Sequence, residues 1–309
     1  MTLSTDVKRS EPLEIKLFGE SIQHSRAPLL LNYVFSKLGF NWRYGLLDSS
    51  DIPEFERFLY SESCAGAAVT MPNKVRMFDK VNTVDESARV VGAINTIYLR
   101  NDNDGNKLYI GTNTDTIGIR DSFLLNAKGI VATSKKLAKP GLVYGGGGAC
   151  RSAIYALHEY FHCSTIYVVN RFASEVEAVR ESMVSAGFQG KIVHIESPES
   201  AQAVESPLLI VSTVPDFAPI TEEELLARKT IQVFLESKTK GTILEMCYHP
   251  KPSTRLFKEF EASGWKVISG IEAMIYQGLA QSELWTGTTL PESSIRETIE
   301  YVYKIIEKE

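Results

Sequence analysis

The segment from Leu142 to Leu157, LVYGGGGACRSAIYAL, most constrains the fold, because it joins a short apolar strand, four glycines and a helical pattern. Gly145 and Gly147 have the spacing of the first two glycines of a dinucleotide fingerprint, and the small Cys150 stands at the third position. At such a turn the backbone comes close to a pyrophosphate, and the helix N-terminus points free N–H groups at its charge. A side chain on Gly145 or Gly147 would hold the phosphate away. Because the apolar run Ser164–Val169 follows the helix, we interpret the segment as a βαβ unit rather than a glycine-rich surface loop.

The bulk properties restrict the class of protein. The 309 residues suffice for two domains, and a hydrophobic content of 44% with 23% charged residues is typical of a globular chain. The net charge of −5 favours neither nucleic acid nor an anionic membrane as a partner. No apolar run reaches the roughly 20 residues of a membrane span, and the first dozen residues lack the apolar core of a secretory signal.

Cysteine and histidine usage points to an ordinary cytoplasmic protein. The four cysteines show neither CxxC spacing nor a close-set framework, so we expect free thiols in a reducing cytoplasm. The five histidines are scattered, and none pairs with cysteine at ligand spacing, so no metal site is predicted.

The remaining pattern alternates strands and helices and predicts an α/β fold with two lobes, one of them doubly wound. In the first lobe we expect a helix to begin at residues 75–78, and a hairpin of strands 92–99 and 108–111 around the turn NDNDGN. Residues 135–140 look like a polar lead-in to the second lobe, which continues with strands near residues 192, 208–212, 242–246 and 265–267. Two helices are predicted at 271–285 and 293–306.

Four segments of the first lobe carry polar groups that a packed core does not require. They are His24-Ser25 with Pro28 and Asn32, Val69 to Lys74, Gly92 to Thr96, and Gly111 to Asp115. These clusters follow predicted strands, where α/β sheets place their ligands. Together with the glycine-rich turn they resemble the shikimate/quinate dehydrogenase family. The resemblance covers about residues 15 to 290 and includes Tyr248-His249-Pro250 with Ser253 to Leu256, then Gly270, Met274 and Gln277, and the closing Trp285-Thr286-Gly287.

The resemblance implies a domain plan and a reaction. Residues 1–120, completed by helices from about 280 to 309, would form an N-terminal α/β substrate-binding domain, and residues 121–279 a Rossmann-type dinucleotide-binding domain. The reaction would be reversible hydride transfer between a nicotinamide and a ring hydroxyl of a cyclohexane or cyclohexene carboxylate. The substrates implied are quinate, oxidised at C3 to 3-dehydroquinate, and shikimate, oxidised to 3-dehydroshikimate. The family includes monomers and homodimers, so both states stay open.

The resemblance also assigns residues. Lys74 and Asp115 would be the catalytic pair, since a lysine beside a carboxylate can hold a hydroxyl and exchange its proton. Which of the two is the formal base stays open; in isolation they would be a solvated lysine and a helix N-cap. The same resemblance gives substrate contacts to Ser25, Thr70, Asn95, Asn113, Tyr248 and Gln277. It gives cofactor contacts to Gly145, Gly146, Gly147, Gly148, Ala149, Asn170, Arg171, Thr213, Pro215 and Gly270.

The first departure from the family pattern concerns the residues that bind the substrate carboxylate. The usual Ser-x-Ser is here Ser25-Arg26-Ala27, so one hydroxyl is missing. A hydrogen bond to a charged carboxylate is worth roughly 1.5–3 kcal/mol. Ala27 also leaves room near ring carbon C1, where quinate carries an extra hydroxyl and shikimate is flat. This departure favours quinate over shikimate.

The second departure concerns the cofactor. The residues after the second strand of the βαβ unit are Asn170-Arg171-Phe172-Ala173-Ser174-Glu175, and Asn-Arg alone suggests the 2′-phosphate of NADP. In NADP-using relatives the run resembles NRTxxR or NRTxxK. In this chain Phe172 replaces the threonine and Glu175 replaces the second cation, so a phosphate dianion would be repelled. We therefore expect NAD, with NADP as the alternative.

Three other interpretations remain. One is an NADP-dependent shikimate dehydrogenase. Another is a sensor or repressor that binds quinate-type ligands without turnover, against which the presence of both Lys74 and Asp115 argues. The third is a dehydrogenase of another cyclic hydroxy acid, such as an aminated ring, which the alanine at position 27 leaves open.

Overall fold

The computed structural model describes residues 9–249 and 251–306, so Pro250 of the Tyr248-His249-Pro250 segment lies outside the described residues. The strands are β1 Glu14–Gly19, β2 Arg43–Asp48, β3 Cys64–Val69, β4 Thr83–Val84, β5 Thr96–Asn101, β6 Lys107–Thr112, β7 Gly141–Tyr144, β8 Thr165–Val169, β9 Lys191–His194, β10 Leu209–Ser212, β11 Thr242–Glu245 and β12 Lys266–Ser269. The helices are α1 Ala27–Lys37, α2 Ile52–Leu59, α3 Glu86–Val91, α4 Asp115–Asn126, α5 Lys128–Lys136, α6 Gly148–Glu159, α7 Ala173–Ser185, α8 Pro198–Gln202, α9 Glu222–Leu235, α10 Arg255–Ala262, α11 Gly270–Thr286 and α12 Glu292–Ile306. None of the helices within these ranges has the length and apolar character needed to cross a membrane.

The chain divides into two compact units. Among the described residues, the first unit comprises 9–89, 93–114 and 277–306, and the second comprises 90–92, 115–249 and 251–276. The units therefore separate after Thr114 and after Tyr276, a few residues before the boundaries expected at 120 and 279. The functions expected of the two domains stay predictions.

The first unit is built on a mixed six-stranded sheet with the order β2-β1-β3-β5-β6-β4. Strands β1, β2 and β3 are parallel, whereas β5 is antiparallel to both β3 and β6, which confirms the hairpin predicted around NDNDGN. Apolar side chains of the sheet and of α2 form its core, in which the rings of Phe18 and Phe55 stack with centroids 4.4 Å apart. Trp285 anchors α11 to this sheet, because its indole N–H donates to the Ile97 carbonyl at 2.9 Å.

The second unit is built on a parallel six-stranded sheet with the order β12-β11-β10-β7-β8-β9. The order reverses direction between β7 and β10, which is the arrangement of a doubly wound dinucleotide-binding sheet. Its central strands are fully buried, as expected where helices cover both faces of a parallel sheet. The α/β fold class with a Rossmann-type second unit is thus confirmed.

Some predicted elements were wrong. Residues 75–78 start no α-helix. Two turns with i+3 to i hydrogen bonds, in which Asn73 N–H donates to Thr70 O and Arg76 N–H to Asn73 O, lead to a 3-10 turn at Phe78–Lys80. The strand predicted from Gly92 begins only at Thr96, because the preceding residues form a loop. Sequence patterns also missed β4 and the helices α3, α5, α8, α9 and α10. The supposed polar lead-in at 135–140 includes the end of α5.

Replacing Gly66 by alanine should destabilise the first unit. A Cβ atom there would lie 2.4 Å from Trp285 Cδ1 and 2.9 Å from the Ile97 carbonyl oxygen, at a backbone φ of +153°. We expect Gly66→Ala to lower the free energy of unfolding by about 1–3 kcal/mol, as overpacking does. Urea titration followed by tryptophan fluorescence measures this. The control is Gly45→Ala, where nothing lies within 4 Å of the added carbon, and an equal loss in both variants would contradict the steric argument.

Candidate active site

Asn95 lies at the centre of a buried hydrogen-bond cluster in the first unit. Its side-chain oxygen accepts from the Thr114 N–H at 2.7 Å and from the Thr96 hydroxyl at 2.7 Å, while its amide donates to Thr114 Oγ1 at 3.0 Å. Gln281 Nε2 donates to Thr96 Oγ1 at 2.9 Å, and the Thr114 hydroxyl donates to Gln277 Oε1 at 3.2 Å. We call Asn95, Thr96, Thr114, Gln277 and Gln281 the Asn95 cluster. It joins the start of β5, the residues just after β6 and one face of α11.

Asn113 lies next to this cluster and is almost fully buried. Its side-chain amide donates to the Ala93 carbonyl at 2.9 Å, so the loop before β5 and the end of β6 are held together. The sequence-predicted residues Asn95, Asn113 and Gln277 are therefore brought into one region of the first unit. The contacts of Asn95 within the cluster already use much of its hydrogen-bonding capacity, which points to positioning as well as binding.

Lys74 is carried on a turn that is fixed on both sides. Its backbone carbonyl accepts from the Ile94 N–H at 3.0 Å, which ties the turn to the loop that leads into β5. The neighbouring Asn73 is fully buried, and its amide donates to the Ser49 carbonyl at 3.2 Å. Thr70 opens the turn, with its N–H donating to the Phe18 carbonyl at the end of β1. The sequence-predicted Thr70 and Lys74 thus belong to one anchored segment.

Ser25 and Ala27 lie at the start of α1. The Ala27 N–H donates to Ser25 Oγ at 3.3 Å, whereas the side chain of the cap residue Arg26 makes no cap hydrogen bond. Ala27 is buried, with 6% of its surface exposed. A helix start with an uncapped N-terminus favours a negative group, which suits the carboxylate predicted to bind at this position.

Asp115 and Tyr248, the other two residues assigned to substrate, belong to the second unit. Asp115 is the first residue of α4 and follows Thr114 of the Asn95 cluster directly in the chain. Tyr248 stands three residues after the end of β11 and is partly exposed.

The glycine-rich turn of the second unit has the geometry that its sequence predicts. Gly145 adopts a φ of +117°, and a Cβ atom there would lie 2.6 Å from Thr213 Oγ1. At Gly147 and Gly148, in contrast, an added Cβ would meet nothing within 4 Å, so the chain itself does not fill this space. Helix α6 begins at Gly148, with its first N–H groups at that position, and Cys150 is fully buried. The residues fit a dinucleotide phosphate.

A cavity of about 670 Å³ in the second unit adjoins this turn. Seven of the ten residues predicted to contact the cofactor line it, namely Gly145, Gly146, Gly147, Asn170, Arg171, Thr213 and Pro215. Gly148 and Ala149 form the helix start beside it. Gly270 is not among the lining residues; a Cβ there would lie 2.2 Å from the Met246 carbonyl oxygen, so its lack of a side chain is required by packing.

The residues after β8 that line the cavity are polar, and they form hydrogen bonds and ion pairs with other lining residues. Asn170 Nδ2 donates to Glu175 Oε2 at 2.7 Å, and Arg171 Nη1 donates to Glu224 Oε1 at 2.9 Å. Glu175 Oε1 also lies 3.7 Å from Arg171 Nη2, and the guanidinium stands 5.1 Å from the Phe172 ring centroid. The acidic Glu175, expected to disfavour a phosphate, thus contacts both residues of the Asn-Arg pair.

Glu245 is a buried acid at the end of β11. Burial raises the pKa of its carboxyl to about 8, so it carries its proton at neutral pH, and Oε1 accepts from the Cys247 N–H at 3.3 Å. Two residues of the cavity act on this pKa in opposite directions, since Asp216 raises it and Arg228 lowers it. Glu245 therefore adds no negative charge to this side of the unit near pH 7.

Sequence reasoning placed Thr96, Thr114 and Arg255 in notable segments but gave them no site role. It missed Gln281 of the Asn95 cluster and Glu224, Arg228 and Glu259 of the cavity. A weak signal existed for Gln281, which stands four residues after Gln277 and so on the same helix face. Another existed for Glu224, because Thr221 and Glu224 form a capping box at the start of α9. Neither signal indicates which distant side chain is the partner.

Known protein families and a known protein resemble this chain in sequence. Residues 17–97 match the shikimate dehydrogenase substrate binding domain, and residues 270–300 match the shikimate 5′-dehydrogenase C-terminal domain. The chain is 42% identical over 287 residues to a quinate dehydrogenase of Emericella nidulans, with 88% of this chain and 87% of that protein covered.

Two further relatives are longer than this chain. It is 31% identical over 302 residues to the pentafunctional AROM polypeptide of Scheffersomyces stipitis, with 96% of this chain and 19% of that protein covered. A solved structure of dehydroquinate dehydratase and shikimate dehydrogenase from S. pombe superposes with a TM-score of 0.77 at 30% identity, covering 94% of this chain and 53% of that one. The chain thus spans about a fifth of the first relative and about half of the second.

Gly147→Ala should weaken dinucleotide binding without affecting folding. The added carbon meets no protein atom within 4 Å, but it enters the space beside the helix start where a phosphate would approach. We expect an unchanged melting temperature and at least a roughly tenfold higher dissociation constant for NAD by titration calorimetry. Gly129→Ala in α5, also surrounded by open space, is the matched control. Unchanged NAD affinity in Gly147→Ala would mean that no cofactor phosphate binds at this turn.

Proposed function

Because the chain belongs to the shikimate/quinate dehydrogenase family and is an oxidoreductase acting on a ring hydroxyl, we propose that it is an NAD-dependent quinate dehydrogenase. It oxidises the C3 hydroxyl of quinate to the ketone of 3-dehydroquinate, and it oxidises shikimate as a weaker second substrate. The observation that carries this proposal is the 42% identity, over 88% of the chain, to a protein named quinate dehydrogenase.

The reaction divides between the protein and the nicotinamide. A nicotinamide dinucleotide held by the glycine-rich turn and the residues after β8 would supply the hydride acceptor for the ring carbon. Lys74 and Asp115 hold the C3 hydroxyl and remove its proton, so that quinate loses a hydride and a proton in total. The anchored turn around Lys74 supports its role, since a proton-transfer group must stay at hydrogen-bond distance from the reacting oxygen. Asp115 begins a helix directly after the Asn95 cluster, so its backbone is also fixed.

Substrate recognition rests on neutral polar groups of the first unit. Asn113 and Gln277 donate to or accept from the ring hydroxyls, with Asn95 holding Thr114 and the end of β6 in place. Thr70 and Ser25 contact the carboxylate near the uncapped start of α1. Since Ala27 lacks the hydroxyl that the family pattern has, the space beside C1 accommodates the extra hydroxyl of quinate.

The choice of NAD follows from the charges after β8. Asn170 and Arg171 resemble a site for a 2′-phosphate, but Glu175 bonds to the first and lies near the second. A phosphate dianion would have to approach a carboxylate that already occupies these donors. The uncharged 2′-hydroxyl of NAD meets no such repulsion and can donate to an acidic side chain.

The test is a two-by-two set of initial rates with quinate or shikimate and NAD or NADP. We expect the largest kcat/KM for quinate with NAD. Lys74→Met, which keeps the length of the side chain but removes its charge, should lower every rate at least about a hundredfold, as loss of an acid–base group does. Shikimate with NADP as the best pair would contradict the proposal. If none of the four pairs gave a measurable rate but quinate bound in titration calorimetry, the protein would be a sensor instead.

The contribution of Ala27 can be measured separately. Ala27→Ser restores the second hydroxyl near the carboxylate and fills space beside C1. We expect the ratio of kcat/KM for quinate to that for shikimate to fall roughly threefold to tenfold, the effect of one small group in a binding pocket. Ala262→Ser, an exposed change at the end of α10, serves as the control. An unchanged ratio in Ala27→Ser would mean that position 27 does not select the substrate.

A further inference from the structure

We propose that Glu224, which lies 53 residues from Arg171 in sequence, excludes the 2′-phosphate of NADP from the cavity of the second unit by holding the Arg171 guanidinium. This inference rests on the proposed use of NAD and names a specificity-determining residue for it. The sequence run from Asn170 to Glu175 does not contain Glu224, which reaches the site from the start of α9.

The contact between the two residues is direct. Arg171 Nη1 donates to Glu224 Oε1 at 2.9 Å, whereas the nearest approach to Glu175 is the longer 3.7 Å between Nη2 and Oε1. All three side chains line the cavity. Glu224 therefore makes the shorter ion pair with the one arginine that the Asn-Arg motif would use for a phosphate.

Glu224 is fixed by its own helix. Its Oε2 accepts from the Ile220 N–H at 2.9 Å and from the Thr221 N–H at 3.3 Å, as the glutamate of a capping box does. These backbone donors hold the pKa of Glu224 below its usual range, with a further contribution from Arg171. The carboxylate is therefore charged at neutral pH and cannot swing away without uncapping α9. Arg171 therefore pairs with a carboxylate whose position is set by the start of α9.

The other arginines that line the cavity are paired in the same way. Arg228 Nη2 makes a close ion pair with Glu259 Oε2, and Arg255 Nε lies 3.4 Å from Asp216 Oδ1. Each of the three guanidinium groups of the lining thus has an acidic partner that also lines the cavity. A phosphate dianion entering beside Arg171 would displace Glu224 and then lie next to two carboxylates. A 2′-hydroxyl has no charge, so it can enter without breaking the pair.

The experiment isolates the 2′-phosphate by using nucleotide fragments. Binding of adenosine 2′,5′-bisphosphate and of 5′-AMP is measured by titration calorimetry on the full chain, without substrate or turnover. The key variant is Glu224→Gln, because glutamine keeps a carbonyl acceptor for the capping box while removing the charge. We expect adenosine 2′,5′-bisphosphate to bind about tenfold more tightly to Glu224→Gln than to the unchanged protein, and 5′-AMP to bind within about twofold.

Two further variants test whether the change in affinity comes from the Arg171–Glu224 ion pair or from the loss of any negative charge on α9. Glu222→Gln removes the same charge from the same helical turn, at an exposed residue that does not line the cavity, and should leave both affinities unchanged. In Arg171→Ala/Glu224→Gln the gain for adenosine 2′,5′-bisphosphate should disappear, because the released guanidinium is gone. Melting temperatures of all variants check that α9 stays folded.

Three results would overturn the inference. They are an unchanged affinity for adenosine 2′,5′-bisphosphate in Glu224→Gln, an equal gain for 5′-AMP, and a gain that persists without Arg171. If the unchanged protein already binds adenosine 2′,5′-bisphosphate more tightly than 5′-AMP, the proposed use of NAD fails together with the inference. If it prefers 5′-AMP and Glu224→Gln changes nothing, the inference alone fails and the role belongs to Glu175.

Discussion

The buried amide of Asn95 is the interaction on which the candidate substrate region depends. Its oxygen accepts both the Thr114 N–H and the Thr96 hydroxyl, so it holds the end of β6 against the start of β5. Leaving such a buried amide or its partners unsatisfied costs about 1–3 kcal/mol. Because Asp115 follows Thr114 in the chain, the same hydrogen bonds fix where α4 begins. A residue predicted as a substrate contact thus also sets the position of its neighbours.

Rigidity around this cluster comes from packing as well as hydrogen bonds. Trp285 closes against Gly66 and donates to the Ile97 carbonyl, which fixes the part of α11 that carries Gln281. The turn that carries Lys74 is held by the buried Asn73 on one side and by Ile94 on the other. The side chains that we predict to act on the substrate are supported by these surroundings, and acid–base chemistry on a ring hydroxyl requires such a fixed geometry.

Under the proposed function, the second unit would bind a dinucleotide and discriminate between two that differ by one phosphate. The glycine-rich turn and the start of α6 suit the phosphates common to both. We propose that discrimination depends on the residues after β8, where Arg171 is paired with both Glu175 and Glu224. For this reason we do not read Arg171 by itself as evidence of a phosphate site.

Local signals in the amino-acid sequence were sufficient to predict several elements. The strand, glycine turn and helix at 142–157 were predictable because the required backbone conformation excludes most side chains, and the hairpin at 96–112 because NDNDGN favours a tight turn. Short helices such as α5 and α8 were missed, since a few residues carry too little periodicity to identify a helix, and the turn after Pro72 was mistaken for one. The folded chain was needed to show that Thr114, Thr96 and Gln281 surround Asn95, and that Glu224, 53 residues away in sequence, contacts Arg171. Those contacts depend on how strands and helices pack, and no local pattern in one segment specifies which distant side chain completes its hydrogen bonds or neutralises its charge.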